Sequence, residues 1–400
     1  MIIVIADDFT GSAEIAGIGL RYGLKPVIIT NDFDEIDLEN FNMLIIDTDT
    51  RSISENESYS KMLSITKKIQ KIQPKLIYKK VDSLLRGNIS QELNAMLDVL
   101  PFKYSILIPA NPSIGRIIKD NTYLVDGKYI HETILSKDPE FPSTSSFITD
   151  MIKGDITVLK PHQYLEQKSP KTRIIVGEAT SINDIKLWAD SLDKDVLPAG
   201  GADFFKAIIE KYEPQQKLPH TKSQMLTAEN IKGNILIING SPISQANLKI
   251  KEILSKHNLD ALTMPNEIFY DSEIKTEKFE KWSDEIANFI MKYKLALVST
   301  YDKPIIKNKN FEKLLRLKLA KLVSYTLEKV NIKDLFIEGG STAHAILQEL
   351  NLTKFLIEME LAPGVVRVKP FNKTLFITVK PGSYDWPDIF IDLLTLKLKN

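Results

Sequence analysis

The stretch IADDFTGS places two adjacent carboxylates, Asp7 and Asp8, directly after the apolar start MIIV. Comparable groups recur along the chain. DTDTR supplies Asp47, Asp49 and Arg51; KKVDSLLRGN supplies Lys80, Asp82, Ser83 and Arg86; IPANPSIGR supplies Asn111 and Arg116. Each group follows a short, β-rich apolar run. A lone Asp, Ser or Asn in such a place ordinarily caps the next helix by accepting an orphan N–H. Recurrence at successive strand ends points instead to a shared ligand. The cations Arg51, Lys80, Arg86 and Arg116 suit a carboxylate or a phosphate, and arginine's fork matches either anion bidentately. The carboxylates of Asp8, Asp49 and Asp82 suit hydroxyl groups, and one of them could act as base toward a hydroxyl. A small polyhydroxy acid satisfies both sets. In KKVDS the two-residue strand period puts Lys80 and Asp82 on one face and Lys79 on the other, so Lys80 is the expected ligand-facing lysine.

A different chemistry is suggested near the carboxyl end. DLFIEGGSTAHAIL reads as a strand, then Gly339 and Gly340, then Ser341 and Thr342 opening a helix, a turn whose backbone amides can approach phosphate oxygens at the positive helix end. NGSPISQAN repeats the theme with Gly240 and Ser241, and VKPGSYDW does so with Lys380 and Gly382. The lysine and spacing of a Walker A loop are missing. Three glycine turns in one region favour a nucleotide phosphate site over chance punctuation.

Other patterns carry less. GIGLRYG (17–23) has the wrong spacing for a dinucleotide fingerprint and falls inside a helical pattern. DTDTR partly matches the D-x-D-x-T start of phosphatases with an aspartyl nucleophile, which would be Asp47, but Arg51 stands where threonine is expected. The five histidines, at 131, 162, 220, 257 and 344, lack ligand spacing, and no metal site is expected from them.

The elements that must position these groups alternate. Apolar runs at 2–6, 25–30, 43–47, 75–79 and 104–109 are separated by stretches of helical period, the pattern of βα units around a mostly parallel sheet. In such α/β sheets ligands bind at the carboxyl ends of the strands. The rhythm breaks at 112–142, where YLVDGKYI reads as a hairpin about Asp126 and Gly127. The polar, proline-containing stretch 213–232 is the expected linker between domains 1–220 and 233–400. Beyond it a second α/β series runs through strands near 234–240, 260–264, 295–300 and 334–340, with helices near 242–256, 275–292 and 309–329 and a strand-rich end.

Composition excludes several classes. The 400 residues are 43% hydrophobic and 26% charged, enough for two cores. Fifty-two basic residues balance fifty-two acidic ones, so no overall field draws the chain to nucleic acid or an anionic membrane. The absence of cysteine removes disulfides, thiolate metal sites and a cysteine nucleophile. The amino terminus lacks a basic leader and no apolar run approaches the roughly 18–20 residues of a membrane span, so a cytoplasmic protein is expected. Homo-oligomer formation is compatible with this reading.

Taken in order, IADDFTGSAEIAG, IIDTDTRS, YKKVDSLLRGN, IPANPSIGRIIKDNTYLVDGKYIHET, NGSPISQAN, IEGGSTA and VKPGSYDWPD resemble the four-carbon acid sugar kinase family. Its members phosphorylate tetronates or 3-oxo-tetronates with ATP. The resemblance runs from residue 1 to about 390. It implies a sugar-acid domain followed by an ATP domain, with the active site in the cleft between them. It implies substrate contacts from Asp8, Arg51, Lys80, Asp82, Ser83, Arg86, Asn111 and Arg116. It also implies nucleotide contacts from Ser241, Gly339, Gly340, Ser341, Thr342 and Gly382. Ser341 stands where the family has an acidic residue, and Leu84 replaces a threonine of the usual DSTLRGN. Both differences bear on the choice of substrate.

The expected reaction is phosphoryl transfer from ATP, with Mg2+ accompanying the nucleotide, to a hydroxyl of the acid, expected at O4. Asp8 is the expected base, with Asp82 as alternative, and Arg86 steadies the transferred group. The rivals are an aspartyl-nucleophile phosphatase and a sensor that binds sugar acid and nucleotide without turnover.

Overall fold

The structure is a computed structural model. It describes residues 1–31, 38–138, 141–166, 172–212, 231–240, 252, 255–256, 261–300, 303–304, 306, 308–371, 373–382 and 384–399. Most of the expected linker 213–232, the residue Ser241 and most of the expected helix 242–256 lie outside the described residues. The chain forms two compact units, Met1–Leu218 and Pro219–Asn400.

In the first unit the strands of the main sheet are β1 (Ile2–Ala6), β2 (Pro26–Thr30), β3 (Met43–Asp47), β4 (Leu76–Lys80) and β5 (Tyr104–Ile108). A separate hairpin sheet is made of β6 (Arg116–Lys119), β7 (Thr122–Val125) and β8 (Lys128–Tyr129), after which β9 (Ile156–Leu159), β10 (Ile174–Gly177) and β11 (Val196–Gly200) return to the main sheet. Its order is β2-β3-β1-β4-β11-β5-β10-β9, parallel at every junction. Strands buried on both faces read as unbroken apolar runs, and β1 to β3 are buried at every residue. The Phe9–Arg21 helix packs close because Gly19 lies against Met43, whose sulfur a Cβ would strike. The Glu55–Ile72 helix opens on a capping box of Ser54 and Glu57. Asp126 and Gly127 turn the β7–β8 hairpin with φ of 50° and 77°, both left-handed as such a two-residue turn requires.

The second unit contains β12 (Asn234–Asn239), β13 (Leu262–Thr263), β14 (Leu295–Ser299), β15 (Ile332–Glu338), β16 (Lys354–Ala362), β17 (Val365–Pro370) and β18 (Phe376–Lys380). The order is β13-β14-β12-β15-β18-β17-β16, parallel as far as β18 and antiparallel through the last two pairings. Ile235, Ile237, Phe336, Trp386, Phe390 and Leu394 belong to one apolar cluster under it. Among the described residues no helix is long and apolar enough to cross a membrane.

The winding determines where ligands can go. The chain runs from β1 to β2 and β3 on one side and then crosses to β4 on the other, so strand order reverses between β1 and β4. In the second unit it reverses in the same way between β12 and β15. A crevice opens beyond the strand ends at such a switch point.

Candidate active site

The switch point of the first unit is where the ionisable groups gather. Asp7 and Asp8 follow β1, Arg51 follows β3, and Lys80 to Arg86 end and follow β4. Arg51 is the hub: its Nε donates to Asp7 Oδ2 at 2.7 Å, its Nη1 donates to Asp8 Oδ2 at 2.8 Å, and its Nη2 faces Asp82 Oδ1 at 3.9 Å. The loop carrying it is tied back to β1, Thr48 N donating to Ala6 O at 2.9 Å and Thr50 N to Asp7 O at 3.2 Å. Asn88 holds the same loop from the other side through Nδ2 bonds of 2.9 Å to the carbonyls of Thr50 and Ile53. Gly87, at φ 95°, lets its backbone lie against Arg51, whose Cγ and Cα a Cβ would meet at 3.1 and 3.3 Å. Asp49 and Leu85 take left-handed φ values of 46° and 60° in these two loops. Backbone held in that region costs energy and persists where the surroundings demand it.

Asp8 is the cap of the Phe9–Arg21 helix. Its Oδ1 accepts from Gly11 N at 2.8 Å, and its Oδ2 accepts from Thr10 Oγ1 at 2.8 Å as well as from Arg51. Asp7 accepts from Arg51 through Oδ2, and its Oδ1 is buried without a hydrogen bond. Burial pushes the Asp7 carboxyl up, but Arg51 and Lys79 outweigh it and hold the group below the ordinary carboxylate range.

Asp82 and Arg86 form a bidentate pair. Arg86 Nε donates to Asp82 Oδ2 at 2.5 Å, Nη2 donates to Oδ1 at 3.1 Å, and Nη1 reaches Asp138 Oδ2 at 3.2 Å. Burial opposes ionisation of Asp82, yet Arg86 and Arg51 hold it far below the ordinary carboxylate range. Arg86 is the accessible member, with 26% of its side chain exposed, whereas the side chain of Arg51 is 9% exposed. It keeps guanidinium donors beyond those three bonds.

The lysines separate as the strand period requires. Lys80 Nζ faces Glu14 at 3.2 Å and donates to Val81 O at 3.0 Å, on the side of the Phe9–Arg21 helix. Lys79 turns the other way, into a fully buried pair with Glu92 at 2.8 Å. Arg116 donates through Nη1 to Ser83 Oγ, and Tyr123 donates to Ser83 O, so the hairpin sheet is fastened to the β4 loop. Asn111 serves the framework: its Oδ1 accepts from Asp203 N at 2.7 Å, and Asp203 in turn accepts from Ser113 N and Oγ at 2.9 and 2.8 Å. Asp47, the alternative nucleophile, is completely buried.

In the second unit the described turns follow adjacent strands. Gly240 follows β12, Gly339 follows β15, and Gly382 lies just past β18. Gly339, at φ 99°, is the N-cap of the Gly340–Glu349 helix and offers no side-chain cap, which leaves the first amides of that helix for another acceptor. Ser341 and Thr342 lie in its first turn, and Thr342 packs so closely on Gly240 that a Cβ there would collide with it. Gly339 N donates to Lys380 O at 2.9 Å. Among the described residues no three His, Asp or Glu side chains converge as a metal cage.

Several members of the first cluster escaped the sequence reading: Glu14, Asn88, Asp138, Asp203 and Tyr123. Glu14 left a signal, a single carboxylate within the apolar helical stretch SAEIAGIG. The others pair over sequence separations of 35 to 92 residues, which no local pattern encodes.

Residues 2–208 match a family profile described as a sugar-binding N-terminal domain, and residues 236–385 match one described as a nucleotide-binding C-terminal domain. A D-erythronate kinase of Heliobacterium modesticaldum is 23% identical, the alignment covering 100% of this chain and 98% of that one. A 3-oxo-tetronate kinase of Haemophilus influenzae is 23% identical with 98% of each chain covered, and a D-threonate kinase of Salmonella typhimurium is 22% identical with 91% and 89% covered. Among solved structures, a Salmonella typhimurium protein described as a putative tRNA synthase shares the fold with a TM-score of 0.75 at 21% identity, covering 98% of both chains. A Haemophilus influenzae protein does so at 0.68 and 20%, again over 98% of both. With both halves matched in order and end to end, this chain belongs to the four-carbon acid sugar kinase family.

Proposed function

We propose that the protein transfers the γ-phosphoryl group of ATP to a hydroxyl, expected at O4, of a four-carbon sugar acid such as threonate, erythronate or a 3-oxo-tetronate. The acid binds at the β1/β4 switch point and the nucleotide at the glycine turns of the second unit. The observation that carries this reading is the convergence of Asp7, Asp8, Arg51, Lys80, Asp82 and Arg86 at one strand edge. Carboxylates for hydroxyls and cations for an acid group stand together there.

Phosphoryl transfer asks little covalent chemistry of a protein; it asks for alignment, compensation of charge and exclusion of water. Arg86, accessible and with donors to spare, takes the acid's carboxylate or the transferring group. Lys80 has one of its three donors beyond Glu14 and Val81. Asp8 already receives three hydrogen bonds, and a carboxylate has about four lone-pair positions. It aims the reacting hydroxyl. Asp82, held strongly ionised by its arginines, is a poor proton acceptor and orients a second hydroxyl. Magnesium, when present, is carried by the nucleotide's phosphates and neutralises charge there.

The test is ADP release by the purified protein across a panel of tetronates and 3-oxo-tetronates, with product mass measured. ADP formation and a phosphorylated product with at least one four-carbon acid are expected. Calorimetric binding of acid and nucleotide with no product from any pair would replace the kinase by a sensor.

A further inference from the structure

In the second unit Asn239, Glu338 and Lys380 are the last residues of β12, β15 and β18 and lie in register across the sheet, Asn239 beside Glu338 and Glu338 beside Lys380. All three are almost completely buried. Glu338 sits in the middle and collects donors. Asn239 Nδ2 and Trp386 Nε1 each donate to its Oε2 at 3.2 Å, and Lys380 Nζ faces its Oε1 at 3.3 Å. Lys380 Nζ also donates to Pro381 O at 3.0 Å and Tyr384 O at 2.6 Å, so two of the three donors of its ammonium go to its own turn. Each residue of this row immediately precedes one of the turns: Gly240, Gly339–Gly340 and Pro381–Gly382.

We infer that Glu338 is the positioning residue of the nucleotide site, locking the three turns to one another, and that Lys380 holds its own turn and does not contact phosphate. This rests on the assignment of the nucleotide to these turns. A lysine in a glycine turn invites comparison with phosphate-binding lysines, but its ammonium is buried, paired with Glu338 and bonded to two carbonyls of its own turn. Charge on the phosphates is then compensated by backbone amides and by groups other than Lys380.

The experiment measures ATP and ADP affinity by calorimetry, both KM values and melting temperature for the wild type, Glu338→Gln, Glu338→Asp, Lys380→Met and the Glu338→Gln/Lys380→Met double variant. Glu338→Gln keeps the shape and removes the charge. It should weaken ATP and ADP alike by about ten- to a hundredfold, the scale seen when an orienting partner behind a ligand is removed. KM for the sugar acid should stay unchanged, and Glu338→Asp should recover part of the loss. Lys380→Met should behave the same way, and the double variant should be no worse than the weaker single variant. A Lys380→Met loss confined to ATP would show direct contact with the γ-phosphate and overturn the inference. So would unchanged nucleotide affinity in Glu338→Gln, or equal rises in both KM values in step with a lowered melting temperature. Wild-type protein that binds neither nucleotide would remove the nucleotide assignment and this inference together, which separates the two failures.

Discussion

The two units begin with the same winding. β2-β3-β1-β4 in the first corresponds strand for strand to β13-β14-β12-β15 in the second. At the last paired position of each fourth strand, the first unit has Lys80 beside Ala6 and the second has Glu338 beside Asn239. The hubs differ in sign accordingly. Around Arg51 a cation gathers the buried carboxylates of Asp7, Asp8 and Asp82, with Arg86 the more exposed arginine beside them. Around Glu338 an anion gathers donors, which are thereby drawn inward, and glycine turns follow them. A switch point supplies only a crevice. On the proposed function, the charge placed at its floor decides whether side chains or backbone amides do the recognition.

The largest effect that would sharpen this contrast is on turnover. Arg86→Ala and Asp8→Asn should each reduce kcat/KM by about 100-fold or more in the ADP assay, since each removes a group aimed at acceptor or transferred phosphate. Wild-type-like turnover in Arg86→Ala would remove side-chain recognition from the first unit's side of the comparison. Next comes stability. Arg51→Met leaves Asp7 and Asp8 buried without their cation and should cost about 3–5 kcal/mol in denaturant unfolding. A cost below about 1 kcal/mol would mean that Arg51 is no hub.

The smallest effect is a divergence with pH. Asp7 and Asp82 have lowered values in the folded protein, so their stabilisation is complete above about pH 4 and is lost as pH falls from there through the folded values. In Arg51→Met burial at Asp7 loses its main opponent, so the Asp7 share of that loss should vanish and acid should relieve part of the variant's cost. Lys380 is depressed by burial, which Glu338 only partly offsets; its charged form therefore costs stability, and the cost is relieved as pH rises through the lowered value toward about 10.4. Amide exchange, corrected for its intrinsic rate, should show β1, β3 and β4 loosening in acid and β15 and β18 tightening in alkali. Identical pH profiles for both groups of strands would erase the difference between the hubs.

Much of the framework was written locally. The runs 2–6, 43–47 and 309–329 became elements with those bounds, the Asp126–Gly127 turn formed its hairpin, and Lys79 and Lys80 parted to opposite faces. These follow from side-chain period and turn geometry, which act over a few residues. The roles inside the clusters were less legible. Nothing in IADDFTGS tells which carboxylate caps the helix or that both pair with Arg51, because that partner arrives 44 residues after Asp7 in sequence and by way of another strand.

The sequence by itself therefore determined the alternating elements, the polar groups at strand ends and the glycine turns, all consequences of short-range backbone and side-chain preferences. Only the tertiary structure decided that Asp8 is the cap, that Arg51 binds three carboxylates together and that Lys380 points inward to Glu338. Those outcomes depend on strand order. Crossing from β3 over β1 to β4, and from β14 over β12 to β15, brings distant residues within the few ångströms at which buried charges choose their partners.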